Sequence, residues 1–430
     1  MAEIAAYNTL ASSFVTQNPH SKAVHEAATN SLPGGNTRTV LFYHPFPLAI
    51  SKAIGSKVHD TDGHVYTDLL GEYTAGLYGH SDPTILSAIT TAAHRGLNYG
   101  GHNENEVKLA TLIKSRFPSI DLIRYTNSGT EATLMSLALA RAYTSKTKTL
   151  VFSGGYHGGA FAFGGGVNSP VNAPFPFLIA EYNDLSSARS LALAPENKSS
   201  LAAILVEPML GSGGAIPGDL AFLSGLRELA DQTGAVLIFD EVMTSRMHAG
   251  GGIQSQLPLH LRPDLTTLGK YIGGGMSFGA FGGKQRIMEL FDPRRKGALA
   301  HAGTFNNNVL TMAAGCVGLE KVFTPGRGEE LHKRGERLRE ELREVGRGTL
   351  LQVTGKGSIR KPADVGPEYK GLGDVLHLFL LSKGYYIARR GFIALSLALE
   401  DEELRGFVGA VREFVMTYPD MLKLPAGPKL

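Results

Sequence analysis

The sequence has almost no cysteine and no long apolar run, and these absences exclude several classes of protein. Cys316 is the only cysteine among 430 residues, so neither an internal disulfide nor a cysteine-based metal site can form, and we expect no bound metal. No stretch reaches the roughly 18 consecutive apolar residues that a membrane helix requires. The first residues lack the basic and apolar parts of a signal peptide. We therefore expect a soluble protein of a reducing compartment, the cytoplasm.

Concentrated charge is also missing. The 42 basic and 39 acidic residues give a net charge of +3 and are spread along the chain, so we expect neither nucleic acid nor membrane as a partner. Phosphate or carboxylate ligands must then be bound by local groups. The last three residues, Pro428 to Leu430, differ at one position from the peroxisomal Ser-Lys-Leu signal. The alternative for this tripeptide is a frayed polar tail.

The length and the 43% hydrophobic content predict two packed domains. Residues 202–208 and 235–242 are continuous apolar runs, as expected of strands buried on both faces, and residues 219–234 between them have helical periodicity. This alternation predicts an α/β fold with a mostly parallel sheet. We place the large α/β domain at 61–315 and build the small domain from 1–60 plus 316–430.

Three polar residues lie where a predicted strand, residues 122–126, turns into a helix. Ser128, Gly129 and Thr130 would present backbone N–H groups, hydroxyls and the positive end of the helix dipole, which together suit a phosphate. The alternative is an ordinary helix cap.

Other polar residues follow further predicted strands. Tyr156 and His157 lie in a glycine-rich loop, where the tyrosine ring could cover a planar ligand or pack on the core. Glu207 and Asp240 each end an apolar run, where a carboxylate needs a cationic partner. In open α/β sheets, ligands bind beyond the carboxyl ends of the strands, so these residues indicate one site.

Lys270 lies among seven glycines in residues 267–283. One interpretation is a surface loop, and the other is a tight turn at a strand end that approaches a ligand. A lysine, a buried carboxylate, an aromatic ring and a phosphate site are together what pyridoxal 5′-phosphate requires. The lysine forms a Schiff base with the cofactor, Asp240 pairs with the pyridine nitrogen, and the helix N-terminus holds the phosphate.

The same segments carry a family resemblance, which covers about residues 33–396. The chain resembles class III aminotransferases, which are fold type I pyridoxal-phosphate enzymes, in the motifs "TNSGTEA", "SGGYHG", "VEP", "FDEVMT", "LGKYIGGG" and "AGTFNNN". "DEVMTSR" and "GGGMSFGAFGG" are similar to the branch around glutamate-1-semialdehyde aminomutase. Within that branch, "PGGNTRTVLFY", "GEYTAGLYGH" and "RRGFIALSL" are similar to β-amino-acid (β-phenylalanine) aminotransferases.

The resemblance implies a seven-stranded large domain, a smaller α+β domain and a homodimer with active sites at the subunit interface. It implies these roles: Lys270 and Asp240 are catalytic, Ser128, Gly129 and Thr130 bind phosphate, Tyr156 and Val242 cover the two ring faces, His157 and Glu207 lie close to the cofactor, and Thr304 reaches the neighbouring subunit's phosphate.

Two arginines bear on the substrate, because arginine binds a carboxylate through two parallel hydrogen bonds. The resemblance implies that Arg38 binds the carboxylate of a β-amino acid and Arg390 the α-carboxylate of a 2-oxo acid. The alternative is that either is an exposed surface charge. Arg389 beside Arg390 leaves open which of the two faces the site, and the short, polar region 354–380 departs from the family pattern.

The predicted reaction is a ping-pong amino transfer from a β-amino acid, aromatic ones included, or a related amine to a 2-oxo acid. A competing hypothesis is an aminomutase or racemase on the same cofactor. A third is a cofactor-free binding protein.

Overall fold

The structure is a computed structural model that describes residues 2–363 and 371–424. The contacts between residues divide the chain into two compact units. The central unit is Pro83–His332, and the terminal unit combines the residues up to Asp82 with those from Lys333 onward. Among helices of the described ranges, none is long and apolar enough to cross a membrane. The C-terminal tripeptide Pro428 to Leu430 lies outside these ranges.

The α-helices of the described residues are α1 Ala2–Gln17, α2 Pro19–Thr29, α3 Pro83–Ala93, α4 Glu104–Arg116, α5 Gly129–Thr144, α6 Leu185–Leu193, α7 Pro195–Lys198, α8 Leu220–Thr233, α9 Gln285–Met288, α10 Val309–Val317, α11 Pro325–Val345, α12 Leu372–Ser382 and α13 Asp401–Thr417.

The strands are β1 Ile50–Ile54, β2 Lys57–Asp60, β3 Val65–Asp68, β4 Leu122–Thr126, β5 Lys148–Phe152, β6 Phe177–Ala180, β7 Leu201–Val206, β8 Met209–Leu210, β9 Ile216–Pro217, β10 Val236–Asp240, β11 Leu265–Gly269, β12 Gly279–Gly283, β13 Gln352–Lys356, β14 Ile359–Ala363, β15 Tyr385–Tyr386 and β16 Ile393–Ala394.

The central unit is built on a seven-stranded sheet with the order β4-β12-β11-β10-β7-β5-β6. The pairs among β11, β10, β7, β5 and β6 are parallel, whereas β12 is antiparallel to both of its neighbours. Every residue of β7 and β10 is buried, as their continuous apolar sequences predicted. The predicted α/β fold with a mostly parallel sheet is confirmed.

The register of the central strands brings their carboxyl ends to one level. Phe239 of β10 pairs with Val206 of β7, and Asp240 pairs with Thr267 of β11. Glu207 comes directly after β7 and Lys270 directly after β11. The sheet therefore brings the ends of three strands that carry predicted site residues to the same edge.

Helix α5 follows β4 after two residues and starts where the sequence placed a helix. The Ser128 hydroxyl accepts a hydrogen bond from Glu131 N at 3.1 Å, which caps the helix N-terminus. Its apolar face, with Leu137 and Leu139 fully buried, belongs to the core that also contains Leu205 and Phe281 of the sheet.

The terminal unit contains a four-stranded sheet, β1-β2-β3-β15, and a three-stranded sheet, β13-β14-β16. Helices α1 and α12 pack together, and Phe14 and Leu378 from these helices share a core with Tyr43 and Tyr66. The terminal unit thus combines helices with short strands, as in an α+β domain. Residues 364–370, which belong to the short polar region 354–380, lie outside the described ranges.

The boundaries between the units differ from those inferred from the sequence, 60/61 and 315/316. Strand β3 pairs with β15 from the C-terminal segment, so the chain as far as Asp82 joins the terminal unit. Helix α10 packs on α3 and α4, which keeps the residues around 315 in the central unit. Both differences arise from pairings between segments distant in sequence.

A substitution at Gly279 of β12 tests how tightly the sheet packs against the start of α5. A Cβ atom at this position would lie 2.1 Å from Ser128 O, so we expect Gly279→Ala to destabilise the protein by about 1–3 kcal/mol. Urea unfolding measures the change. Gly159→Ala is the control, because a Cβ there meets no atom within 4 Å. Equal midpoints for the two variants would contradict the tight packing.

Candidate active site

Lys270 begins a short 3₁₀ turn, Lys270–Gly273, directly after β11, and its backbone has a left-handed φ of +56°. Such a conformation is costly for lysine and is typical of functional sites. Gly274 allows the tight turn, because a Cβ there would lie 2.4 Å from Ala314 Cβ. The lysine is therefore held in a strained turn at a strand end, not in a loose surface loop.

Asp240, at the end of β10, is 5% exposed. Its Oδ2 lies 2.8 Å from Nδ1 of the buried His157, and its Oδ1 accepts a hydrogen bond from Val242 N at 3.0 Å. Because an ionised carboxylate only accepts, the His157 tautomer that matches this geometry carries its proton on Nδ1. Histidine and backbone amide thus fix the direction of the carboxylate.

Glu207 connects two loops at the same strand ends. Its carboxylate oxygens accept hydrogen bonds from Tyr156 N and Gly211 N, both at 2.9 Å. Burial raises the pKa of Glu207 to about 7; the charge of His157 lowers it, and that of Asp240 raises it. Glu207 therefore holds the backbone of the loop that carries Tyr156.

The N-terminus of α5 is shaped by glycines that let other segments approach. A Cβ at Gly129 would lie 2.9 Å from a Val242 methyl group, and a Cβ at Gly158 would lie 2.1 Å from Thr130 Oγ1. Strand ends and loops consequently close around the first turn of α5.

These residues enclose a cavity of about 310 Å³ in the central unit. Its lining includes the predicted residues Ser128, Gly129, Thr130, Tyr156, His157, Glu207, Asp240, Val242 and Lys270. Residues that the sequence did not single out also line it, namely Asn127, Gly158, Met243, Met276, Ser277 and Phe278. Each of these lies within a motif quoted above, so membership of those motifs was the available signal. Volumes of this size are ordinary for small-ligand sites.

The donor set fits pyridoxal phosphate. The helix N-terminus with Ser128 and Thr130 suits a phosphate, the Asp240 carboxylate suits a protonated ring nitrogen, and the Lys270 amine suits an aldehyde. Tyr156 lines the cavity and is 45% exposed, so its ring is accessible to a planar ligand.

Thr304 is the predicted cofactor residue that the cavity does not include. It lies exposed in a turn after Gly303 and is not among the lining residues. A single copy of the chain thus brings the other predicted cofactor residues together and leaves Thr304 out.

The predicted substrate arginines lie in the terminal unit. Arg38 Nη1 is 2.6 Å from Glu72 Oε1, and the Arg390 guanidinium lies over the Tyr73 ring at 5.7 Å from its centroid. Arg389 instead forms a bidentate ion pair with Asp374 of α12. Arg38 and Arg390 therefore contact two consecutive residues of one turn, while Arg389 is held elsewhere.

The fold and the cavity are those of a fold type I pyridoxal-phosphate transferase. Residues 42–370 match the model of the class-III aminotransferases, and the chain belongs to this family. It is 49% identical over 414 residues to a β-phenylalanine transaminase of Variovorax paradoxus, covering 94% of each chain. A solved β-phenylalanine aminotransferase from that species matches with a TM-score of 0.95 at 46% identity, over 99% of this chain and 100% of the other.

Two further relatives bear on cofactor and branch. The chain is 39% identical over 361 residues to a glutamate-1-semialdehyde 2,1-aminomutase of Citrifermentans bemidjiense, covering 80% of this chain and 83% of the other. A transaminase solved with PLP bound matches with a TM-score of 0.85 at 29% identity, over 93% and 98% of the chains. The predicted family, enzyme class and pyridoxal phosphate cofactor are confirmed, which removes the binding-protein hypothesis. An aminotransferase uses an amino donor and a 2-oxo acid acceptor.

The raised pKa of Glu207 predicts a pH-dependent stability. Between pH 4.5 and about 7 the native state keeps a proton that the unfolded state releases, so this group makes the protein less stable as pH rises through that range. We expect Glu207→Gln to weaken this decline in the free energy of unfolding, measured by urea titration at pH 5 and pH 7.5. The exposed Glu402→Gln is the control, and an unchanged slope in Glu207→Gln would contradict the assignment.

Proposed function

We propose that this aminotransferase takes its amino group from a β-amino acid, aromatic ones included, and passes it to a 2-oxo acid. The observation that carries the proposal is that Arg38 and Arg390 contact two consecutive residues, Glu72 and Tyr73, of the Gly71–Thr74 turn. Two separate cationic groups suit two substrates whose carboxylates lie at different distances from the reacting carbon. The similarity to a β-phenylalanine transaminase supports the same donor class.

Arg38 binds the carboxylate of the β-amino acid, and Arg390 binds the α-carboxylate of the 2-oxo acid. The ion pair between Arg389 and Asp374 supports Arg390 as the second of these residues, because Arg389 is already bound to a carboxylate. Stacking on Tyr73 and Phe392 orients the plane of the Arg390 guanidinium, which favours bidentate binding.

Bound pyridoxal phosphate supplies the aldehyde that exchanges the amino group and a ring that withdraws electrons from the substrate carbon. Lys270 Nζ holds the cofactor between turnovers and moves the proton at the substrate carbon during them. Asp240, oriented by His157, keeps the ring nitrogen protonated. Ser128, Gly129 and Thr130 would bind the cofactor phosphate, and Tyr156 and Val242 would cover the two faces of its ring.

The enzyme acts as a homodimer whose active sites lie at the subunit interface. Phe305 beside Thr304 is 56% exposed, and Leu97 and Tyr99 are 56% and 46% exposed on the same unit. The proposed interface requires these exposed apolar side chains to form one patch that the second chain covers. In the dimer, Thr304 completes the phosphate site of the neighbouring subunit. The cytoplasmic location stays a prediction.

A half-reaction tests the proposed function and separates it from the aminomutase hypothesis. Adding β-phenylalanine without a 2-oxo acid is expected to bleach the yellow colour of the purified enzyme, and adding the oxo acid restores it. Lys270→Ala is expected to retain the cofactor and lose turnover, whereas the exposed Lys52→Ala behaves as wild type. A colour that β-phenylalanine leaves unchanged, or isomerised product without oxo acid, would exclude this function.

The two arginines can be tested separately by steady-state kinetics. Arg38→Ala removes a charge-assisted hydrogen bond worth about 1.5–3 kcal/mol. We therefore expect KM for β-phenylalanine to rise about tenfold to a hundredfold. KM for 1-phenylethylamine, which lacks the carboxylate, should change little. Arg390→Ala should instead raise KM for the 2-oxo acid. The exposed Arg405→Ala is the control, and equal losses for amine and β-amino acid would show that Arg38 is structural.

A further inference from the structure

Arg38 already has a carboxylate bound to it. The Nη1–Oε1 contact with Glu72 measures 2.6 Å, and the two side chains are 49% and 46% exposed. An ion pair between half-exposed side chains is weak, because water screens both charges. A carboxylate that arrives from solution can therefore compete with Glu72 for the guanidinium.

The pair is accessible to such a competitor. Arg38 and Glu72 both line a cavity of about 370 Å³ within the terminal unit. Much of the cavity wall is apolar, with Leu41, Leu70 and Ile50 among its residues. The cavity has room for a small carboxylate to reach the arginine.

The backbone holds Glu72 in an unusual position. Gly71, Glu72, Tyr73 and Thr74 have consecutive φ values of +52°, +45°, +51° and +83°, a left-handed run that is costly for the three residues with side chains. The turn is anchored by Asp68 Oδ1, which accepts hydrogen bonds from Leu70 N at 2.8 Å and Gly71 N at 3.1 Å.

The turn is also enclosed on its glycine side. A Cβ at Gly71 would lie 2.4 Å from Ala394 O, so the backbone at this point packs directly against the β16 strand. Strain that the surrounding structure maintains is characteristic of functional positions. Because the backbone is anchored, Glu72 releases Arg38 by rotating its side chain and not by moving the turn.

The next residue of the turn contacts the other arginine. Tyr73 stacks on Phe392 with a ring separation of 5.9 Å, and Arg390 lies over both rings. One turn thus supplies a competing carboxylate to Arg38 and a neutral aromatic surface to Arg390.

We propose that Glu72 is the resident counter-ion of Arg38, which the donor carboxylate must displace, and that this residue sets the discrimination between β-amino acids and amines without a carboxylate. The inference rests on the proposed role of Arg38 in binding the donor. Glu72 keeps the guanidinium neutralised while an amine or a 2-oxo acid is bound. It acts through Arg38 and is therefore a positioning residue.

Glu72→Gln tests this role, since it removes the charge and keeps the size of the side chain. We expect KM for β-phenylalanine to fall about fivefold, the factor that corresponds to a competing ion pair of about 1 kcal/mol, with kcat little changed. KM values for 1-phenylethylamine and for the 2-oxo acid should stay at their wild-type levels. Glu26→Gln makes the same change in net charge at a side chain that is 64% exposed and is the matched control.

A double-mutant cycle shows whether the effect passes through Arg38. In the Arg38→Ala background, Glu72→Gln should no longer alter KM for β-phenylalanine. If KM still decreases in that background, or if Glu26→Gln lowers KM equally, the effect comes from the net charge of the protein. Either result would overturn the inference. If Glu72→Gln does not fold, Glu72→Asn replaces it, because asparagine tolerates left-handed backbone.

The possible failures are distinguishable. An enzyme that does not transaminate β-phenylalanine contradicts the proposed function itself. An enzyme that does so and depends on Arg38, but whose KM is unchanged or raised by Glu72→Gln, retains the proposed function and loses only the role of Glu72.

Discussion

The active-site structure depends on a negative charge that is held inside the protein. Asp240 ends a fully buried strand, where an ionised carboxylate is costly unless cations and hydrogen-bond donors surround it. His157 Nδ1 and Val242 N lie at hydrogen-bond distance from this carboxylate, and burial raises the pKa of the second buried carboxylate, Glu207, to about 7. Two carboxyl groups in one small cavity favour the binding of a cation. A protonated pyridine ring is such a cation.

The predicted cofactor residues and the predicted substrate arginines lie in different structural units. The central unit contains the lysine, the carboxylate and the phosphate site on strand ends that a parallel sheet aligns. The terminal unit contains the two arginines, which contact a strained turn, Gly71–Thr74. Loops and turns vary more freely than buried strands, because fewer packed neighbours constrain them. Donor preference could therefore change within such a family while the reaction stays the same.

Much of the fold and of the cofactor site could be predicted from the sequence. Residues 202–208 and 235–242 had the unbroken apolar pattern of strands buried on both faces, and these strands exist as β7 and β10. Lys270, Asp240 and the Ser128 cap stood out for two reasons. Polar residues directly after apolar runs are rarely needed for packing, and neither is a group of glycines around one lysine. These signals are local, so they can be read without coordinates.

Contacts between distant segments were beyond the sequence. The unit boundaries depend on pairing between β3 and β15, more than 300 residues apart, and the boundaries inferred from composition missed it. Likewise, no local pattern distinguishes Arg389 from Arg390 or connects Arg38 to Glu72. The sequence by itself determined the central strands and the cofactor and indicated the residues of the site, because periodicity and residue chemistry are local. Only the tertiary structure decided which side chains meet, because that choice depends on how remote segments pack.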